Sequence, residues 1–207
     1  MHGFFPFVRR TVGALLHGGL GSEIRRTAIA APVLVLAGFV SGWLFPQTVD
    51  TMLAFFMDSV DVEALTSAPA VSVATAIFLN NVSAAFSAIL IGAVPFVYLS
   101  ALPLGLNFFI LGLLGAFCCQ SGPGLGFYLL GILPHGIFEL PALVFFCAAG
   151  LYLCSCVTAR IRGKDGVRLL PALEGVSQLF LFVVLPLLLA AALIEAYVTP
   201  WLLSLCG

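Results

Sequence analysis

Charge is what this sequence is short of. Of 207 residues, 8 are Lys or Arg and 9 are Asp or Glu, 8% in all, where a soluble domain carries roughly a quarter. A water-coated particle of this size cannot be built from so few charges. That excludes an ordinary soluble globule, and it excludes disorder, which needs high charge and low hydrophobicity. The net charge of −1 provides no basic field for nucleic acid, so no nucleic-acid partner is expected. Catalytic signatures are missing too. There is no G-x-S-x-G, no phosphate loop and no H-E-x-x-H, so no catalytic residue is assigned and the chain reads as non-enzymatic, without a cofactor. Nor do the 6 cysteines form a secreted framework. Cys118, Cys119, Cys147, Cys154 and Cys156 sit in or beside apolar runs, where thiols act as small hydrophobes. The Cys154-Ser155-Cys156 pair has no second pair to complete a tetrahedral metal site.

What the sequence has is apolar length. Hydrophobic residues make up 62% of it, with mean hydropathy +1.19, and the runs are continuous rather than alternating, which argues for transmembrane helices over a β-barrel. The fold class expected is all-α, a polytopic transmembrane helical bundle of about five spans plus a short re-entrant or broken segment. Residues 1–26 read as a cytoplasmic amphipathic leader with no cleavable signal. Val8, Val12, Leu15, Leu16, Leu20 and Ile24 recur at helical steps among four arginines. The transmembrane domain is expected over 27–200, with a tail at 201–207.

Within it, spans are expected at 27–45, 70–94, 103–119, 134–157 and 175–198. Residues 47–68 carry Asp50, Asp58, Asp61 and Glu63 and no base, which reads as a short amphipathic helix outside the spans. The run 124–133 is too short to cross roughly 30 Å of hydrocarbon and is expected to be re-entrant or packed in the bundle. Pro134 suits a first helical turn, and Pro141 removes a backbone donor seven residues later, so Pro134 and Pro141 are expected to break the helix between them.

Every Lys and Arg falls before the first span or in the 160–168 loop. By the positive-inside rule both regions are cytoplasmic. Span one then runs outward, and the chain must cross three more times before Arg160. This gives a multi-pass protein of a prokaryotic plasma (inner) membrane with a cytoplasmic N-terminus.

Few ionisable groups lie within the spans, so each is a functional candidate. His135 and Glu139 are four apart and share a helix face. Glu195 sits near the end of the last span, and Asn80 and Asn81 lie within the second. With this topology, His135, Glu139 and Glu195, with an Asn nearby, gather in the outer leaflet. Three readings fit such a cluster: polar glue between helices, a metal or proton site, and a docking point for another membrane protein. One His and two carboxylates could bind zinc. With no H-E-x-x-H and no second His nearby, no metal is assigned, and the three residues stand only as candidates. Small residues at 83–88 and the glycines Gly105, Gly112 and Gly115 permit close helix contact and a homodimer.

Residues 133–141, Leu-Pro-His-Gly-Ile-Phe-Glu-Leu-Pro, with the following Ala148-Ala149-Gly150-Leu151, resemble the signature of the stage II sporulation protein M family of integral membrane proteins. Phe78-Leu79-Asn80-Asn81 is similar to that family's Asn-containing span, and Ile194-Glu195-Ala196-Tyr197-Val198-Thr199-Pro200 to its closing motif. The likeness runs from about 27 to 200 and departs where Asn107 is followed by Phe108 instead of Gly. It implies a non-enzymatic membrane protein, a scaffold or assembly partner of an envelope complex. In spore formers that complex is the engulfment and septal peptidoglycan degradation machinery. It also implies that Asn81, His135, Glu139 and Glu195 are the recurrent polar positions. The expected partners are the lipid bilayer and other membrane or envelope proteins. The alternative is a transporter or channel subunit, whose motives are the broken Pro134–Pro141 element and the carboxylates.

Overall fold

A computed structural model describes residues 19–47, 49, 51, 69–120 and 124–204. Most of the leader and of the acidic 47–68 segment lies outside the described residues. Five helices are long and apolar enough to cross a membrane, as the composition predicts. They are α1 (Gly19–Leu44), α2 (Ala70–Ile91), α3 (Ala101–Gln120), α4 (Leu125–Ile161) and α5 (Leu169–Ser204). No strand occurs among the described residues.

Three boundaries differ from the sequence reading. The first helix begins at Gly19, well ahead of residue 27. Leu20, Ile24 and Thr27 are buried, so contact on one face offsets the low helix propensity of Gly19 and Gly21. The second difference is larger. No re-entrant or broken element occurs at 124–141 among the described residues, because α4 is one unbroken helix of 37 residues. Its length of about 55 Å exceeds a hydrocarbon core of about 30 Å. Pro134 and Pro141 are both helical. They lie two turns apart, so the backbone donors they lack fall on one side and leave the rest of the ladder intact. Long apolar helices absorb such interruptions. The third is in α5, where the α-helix Leu169–Leu179 passes through a π-helical turn, Phe180–Val184, into the α-helix Leu185–Ser204. The Leu185 N–H reaches back to the Phe180 carbonyl. This widened turn sits directly before Pro186, where the ring would crowd a regular α-helical turn.

The chain divides into two compact units, the first of residues 1–30, 81–104 and 139–188 and the second of 31–80, 105–138 and 189–207.

In the first unit α4 is buried on every side through Ala142–Val144 and Phe146–Gly150. The loop from the end of α2 to α3 folds onto this helix. Phe96 N–H donates to Thr158 Oγ1 at 2.9 Å, and Cys154 Sγ donates to the Val94 carbonyl at 3.2 Å. Ser100 Oγ donates to the Ala88 carbonyl at 2.6 Å. These bonds hold Phe96 (φ 70°) and Tyr98 (φ 52°) in the left-handed region, where a bulky residue costs about 1–3 kcal/mol. The Arg162 guanidinium lies 5.3 Å from the centre of the Phe96 ring, a cation–π contact that closes the loop against the end of α4.

In the second unit α1 and α3 approach at backbone distance. A Cβ on Gly38 would strike the Phe109 carbonyl, and one on Gly112 would strike the Val35 carbonyl. One on Gly42 would lie 2.9 Å from the Ala116 Cβ. Gly38-xxx-Gly42 faces Gly112-xxx-Ala116, the small-residue pairing that lets membrane helices touch. Gln120 Nε2 donates to the Gly42 carbonyl at 3.3 Å, and Tyr128 Oη donates to Leu111 at 2.7 Å, tying α4 to α3. Of the glycines picked from sequence, Gly112 makes this contact and Gly115 meets the Tyr128 ring, but Gly105 has nothing within 4 Å. The opposite side of α1, with Val33, Leu36, Val40 and Trp43, is exposed, as a lipid-facing stripe would be.

Candidate functional site

His135 and Glu139 follow one another by one turn on α4, and Glu195 and Thr199 do the same on α5. Each helix therefore presents one polar pair on one face. The imidazole and the two carboxylates each offer one donor atom, and these atoms lie within 4.8 Å of one another. All three residues are half-buried. Thr199 is buried at 8% exposure. Its Oγ1 lies 3.5 Å from His135 Nδ1 and donates to the Ile194 carbonyl at 3.4 Å. With its own proton so directed, the hydroxyl can accept from Nδ1–H in the tautomer that carries the proton there.

The structure thus brings together the His and the two Glu that the sequence singled out. Asn80 and Asn81 are on α2, exposed and half-buried respectively, and neither side chain has a hydrogen bond among the described residues. Asn107 is exposed on α3. Thr199 is the neighbour of His135 that sequence reasoning did not single out. Its signal was present, a hydroxyl four residues after Glu195 and directly before Pro200.

Electrostatics make the cluster unusual. No Lys or Arg occurs in 31–80, 105–138 or 189–207, the unit that holds His135 and Glu195, whereas Glu139 belongs to the other unit. On α4 the nearest is Arg160, 21 residues and about 32 Å of helix beyond Glu139. On α5, Arg168 precedes Glu195 by 27 residues, about 40 Å. Two ionised carboxylates at about 5 Å in surroundings of effective dielectric near 20 repel by roughly 3 kcal/mol.

The family model described as Stage II sporulation protein M matches residues 31–200. That interval contains His135, Glu139, Glu195 and Thr199. No curated protein and no solved structure shows a match.

Proposed function

The chain belongs to the stage II sporulation protein M family, and from that premise we propose that it is a non-enzymatic membrane scaffold. In this reading it positions partner proteins of an envelope complex in a prokaryotic plasma membrane. In a spore-forming cell that complex is the engulfment machinery that degrades septal peptidoglycan. One observation carries the reading: the membrane-embedded polar groups close on each other, with His135 set against Glu139, Glu195 and Thr199 on two helices. Polarity spent in this way fixes helix against helix. The transporter reading drew on a broken helix, since half-helix ends carry substrate sites in transporters. Here α4 runs unbroken through His135 and Glu139.

Cross-linking the full chain in its native membrane tests the scaffold role. We expect a reproducible envelope partner with the wild type, and its loss when Glu139 is replaced by Ala in a protein that still accumulates. Recovery of the chain alone, or a proton or metal-ion flux in reconstituted liposomes, would count against the reading.

The orientation proposed places Arg160, Arg162, Lys164 and Arg168 in the cytoplasm. A groove of about 800 Å³ lined by Arg160, Arg168 and Leu170 opens there, at the start of α5, a chemistry suited to lipid headgroups. Alkaline phosphatase fused after Ser204 should be active, and fused after Lys164 inactive. The reverse pattern would invert the topology.

A further inference from the structure

The turn between α4 and α5 carries Arg160, Arg162, Lys164 and Arg168, and the structure gives these cations different surroundings. The Arg162 guanidinium is engaged by the Phe96 ring. Lys164 is exposed. Arg160 and Arg168 line one groove of about 800 Å³. We propose that this groove binds the phosphate of an anionic phospholipid, with Arg160 and Arg168 as its clamp. The groove, both arginines and the segments around them all belong to the first compact unit. The inference deepens the headgroup chemistry of the proposed topology and rests on that topology only for the choice of leaflet.

Local structure makes the groove. α4 ends at Ile161 and α5 starts at Leu169, so a short turn must reverse the chain. Gly163 (φ 70°) and Gly166 (φ 84°) supply the left-handed backbone this needs. The reversal brings Arg168, at the head of α5, to the same groove as Arg160 from the last turn of α4. Gly166 is part of the lining, and a Cβ there would meet nothing within 4 Å. The backbone at Gly166 is therefore open to a ligand.

Charge sets the sign of that ligand. Neither guanidinium has an ion pair or a side-chain hydrogen bond among the described residues. Asp165 is the single acid in 160–168. No acid stands in the first turn of α5, and the head of a helix is the end that disfavours a cation. A guanidinium fork takes two phosphate oxygens at once. The groove also has the size of a small-ligand site, roughly 300–1,000 Å³.

Position makes the phosphate a lipid's. The two arginines stand where two apolar spans end, the level at which headgroups lie. Ile161 and Leu170 adjoin them in sequence and are exposed, Leu170 at 70%. Phe96, Val97 and Tyr98 in the loop after α2 are exposed as well, and aromatic side chains favour the membrane interface. An acyl chain can cover this apolar surface, whereas a free phosphate leaves it bare. A zwitterionic lipid would set its own cation against the two guanidiniums, so the anionic headgroup is preferred.

The test uses the full chain, delipidated in detergent and given phosphatidylglycerol, phosphatidylcholine or inorganic phosphate. Native mass spectrometry counts the lipid retained. The wild type should prefer phosphatidylglycerol to phosphatidylcholine by about tenfold. Arg160→Gln and Arg168→Gln should each weaken phosphatidylglycerol binding by about fivefold. Lys164→Gln removes the same charge from the same turn outside the groove lining, and should weaken it by less than about twofold because that charge is screened. Arg168→Lys keeps the charge without the fork and should fall between the wild type and Arg168→Gln. The comparison of lipids on the wild type needs no variant to fold. Equal retention of the two lipids by the wild type would overturn the proposal, and so would a loss in Lys164→Gln as large as in Arg168→Gln. Displacement of the lipid by millimolar inorganic phosphate would make free phosphate the ligand and sink the lipid assignment. The alkaline phosphatase fusions read the topology separately, so a failure there is distinguishable from a failure of the groove.

Discussion

Replacing Gly150 by Ala should cost the protein several kcal/mol, and replacing Gly105 by Ala should cost it nothing. Both glycines lie inside apolar helices, α4 and α3, and by propensity alone each change should gain up to about 1 kcal/mol. Their surroundings differ. At Gly150 an added Cβ would lie 2.6 Å from the Ala88 carbonyl and 2.7 Å from the Ser100 Cβ, and it would strike the Ser100 hydroxyl. The same hydroxyl donates the buried 2.6 Å bond to Ala88. On the partner element, a Cβ at Gly92 would in turn strike the Gly150 backbone. Around Gly105 nothing lies within 4 Å.

Overpacking a rigid contact costs about 1–3 kcal/mol and occasionally more, and a displaced buried hydrogen bond adds about 1 kcal/mol. Gly150→Ala should therefore lower the melting temperature in detergent by about 10 °C, taking about 2–4 °C per kcal/mol for a chain of this size. Gly150→Leu should reduce accumulation in the membrane, where Gly105→Ala keeps the wild-type level or raises it. Equal behaviour of Gly150→Ala and Gly105→Ala would mean that the loop after α2 does not pack on α4 as described.

The apolar runs made the five spans legible, because helix length against bilayer thickness is a strong constraint. Proline misled where it was given local authority. Cutting the fourth span at Pro134 left 124–133 too short to cross, yet the helix runs through Pro134 and Pro141 as one piece. An apolar helix supported by its neighbours tolerates a missing donor that would end an exposed one. The π-turn before Pro186 left no periodic mark in sequence, since every residue of Phe180–Val184 is apolar. The Gly38-xxx-Gly42 contact was legible in principle. It hides among 21 glycines, and spacing alone does not separate it from Gly105, which touches nothing. The His135, Glu139 and Glu195 grouping came from two simple inputs, a four-residue step on one helix and a count of crossings that sets which ends lie together. Thr199 escaped because a hydroxyl draws no attention until a ring nitrogen is seen 3.5 Å away.

The second large effect separates stability from recruitment, and it is best measured in chelator-treated protein so that no metal enters. His135→Leu takes the imidazole away from Glu139 and Glu195, whose carboxylate oxygens lie within 4.8 Å of it and of each other. Removing one member of a buried charged set costs about 3–5 kcal/mol. Replacing all three by Leu removes the desolvation penalty and the repulsion together. Such replacements are neutral or stabilising by about 1–4 kcal/mol. The triple variant should therefore melt at or above the wild type, while His135→Leu melts well below it. If the cluster served packing alone, the triple variant would also keep every partner. As part of a scaffold's contact surface, it should instead be stable and fail to retain its envelope partner on cross-linking. A triple variant as unstable as His135→Leu would show that α4 and α5 need the polar contacts themselves, and the charge argument would fall.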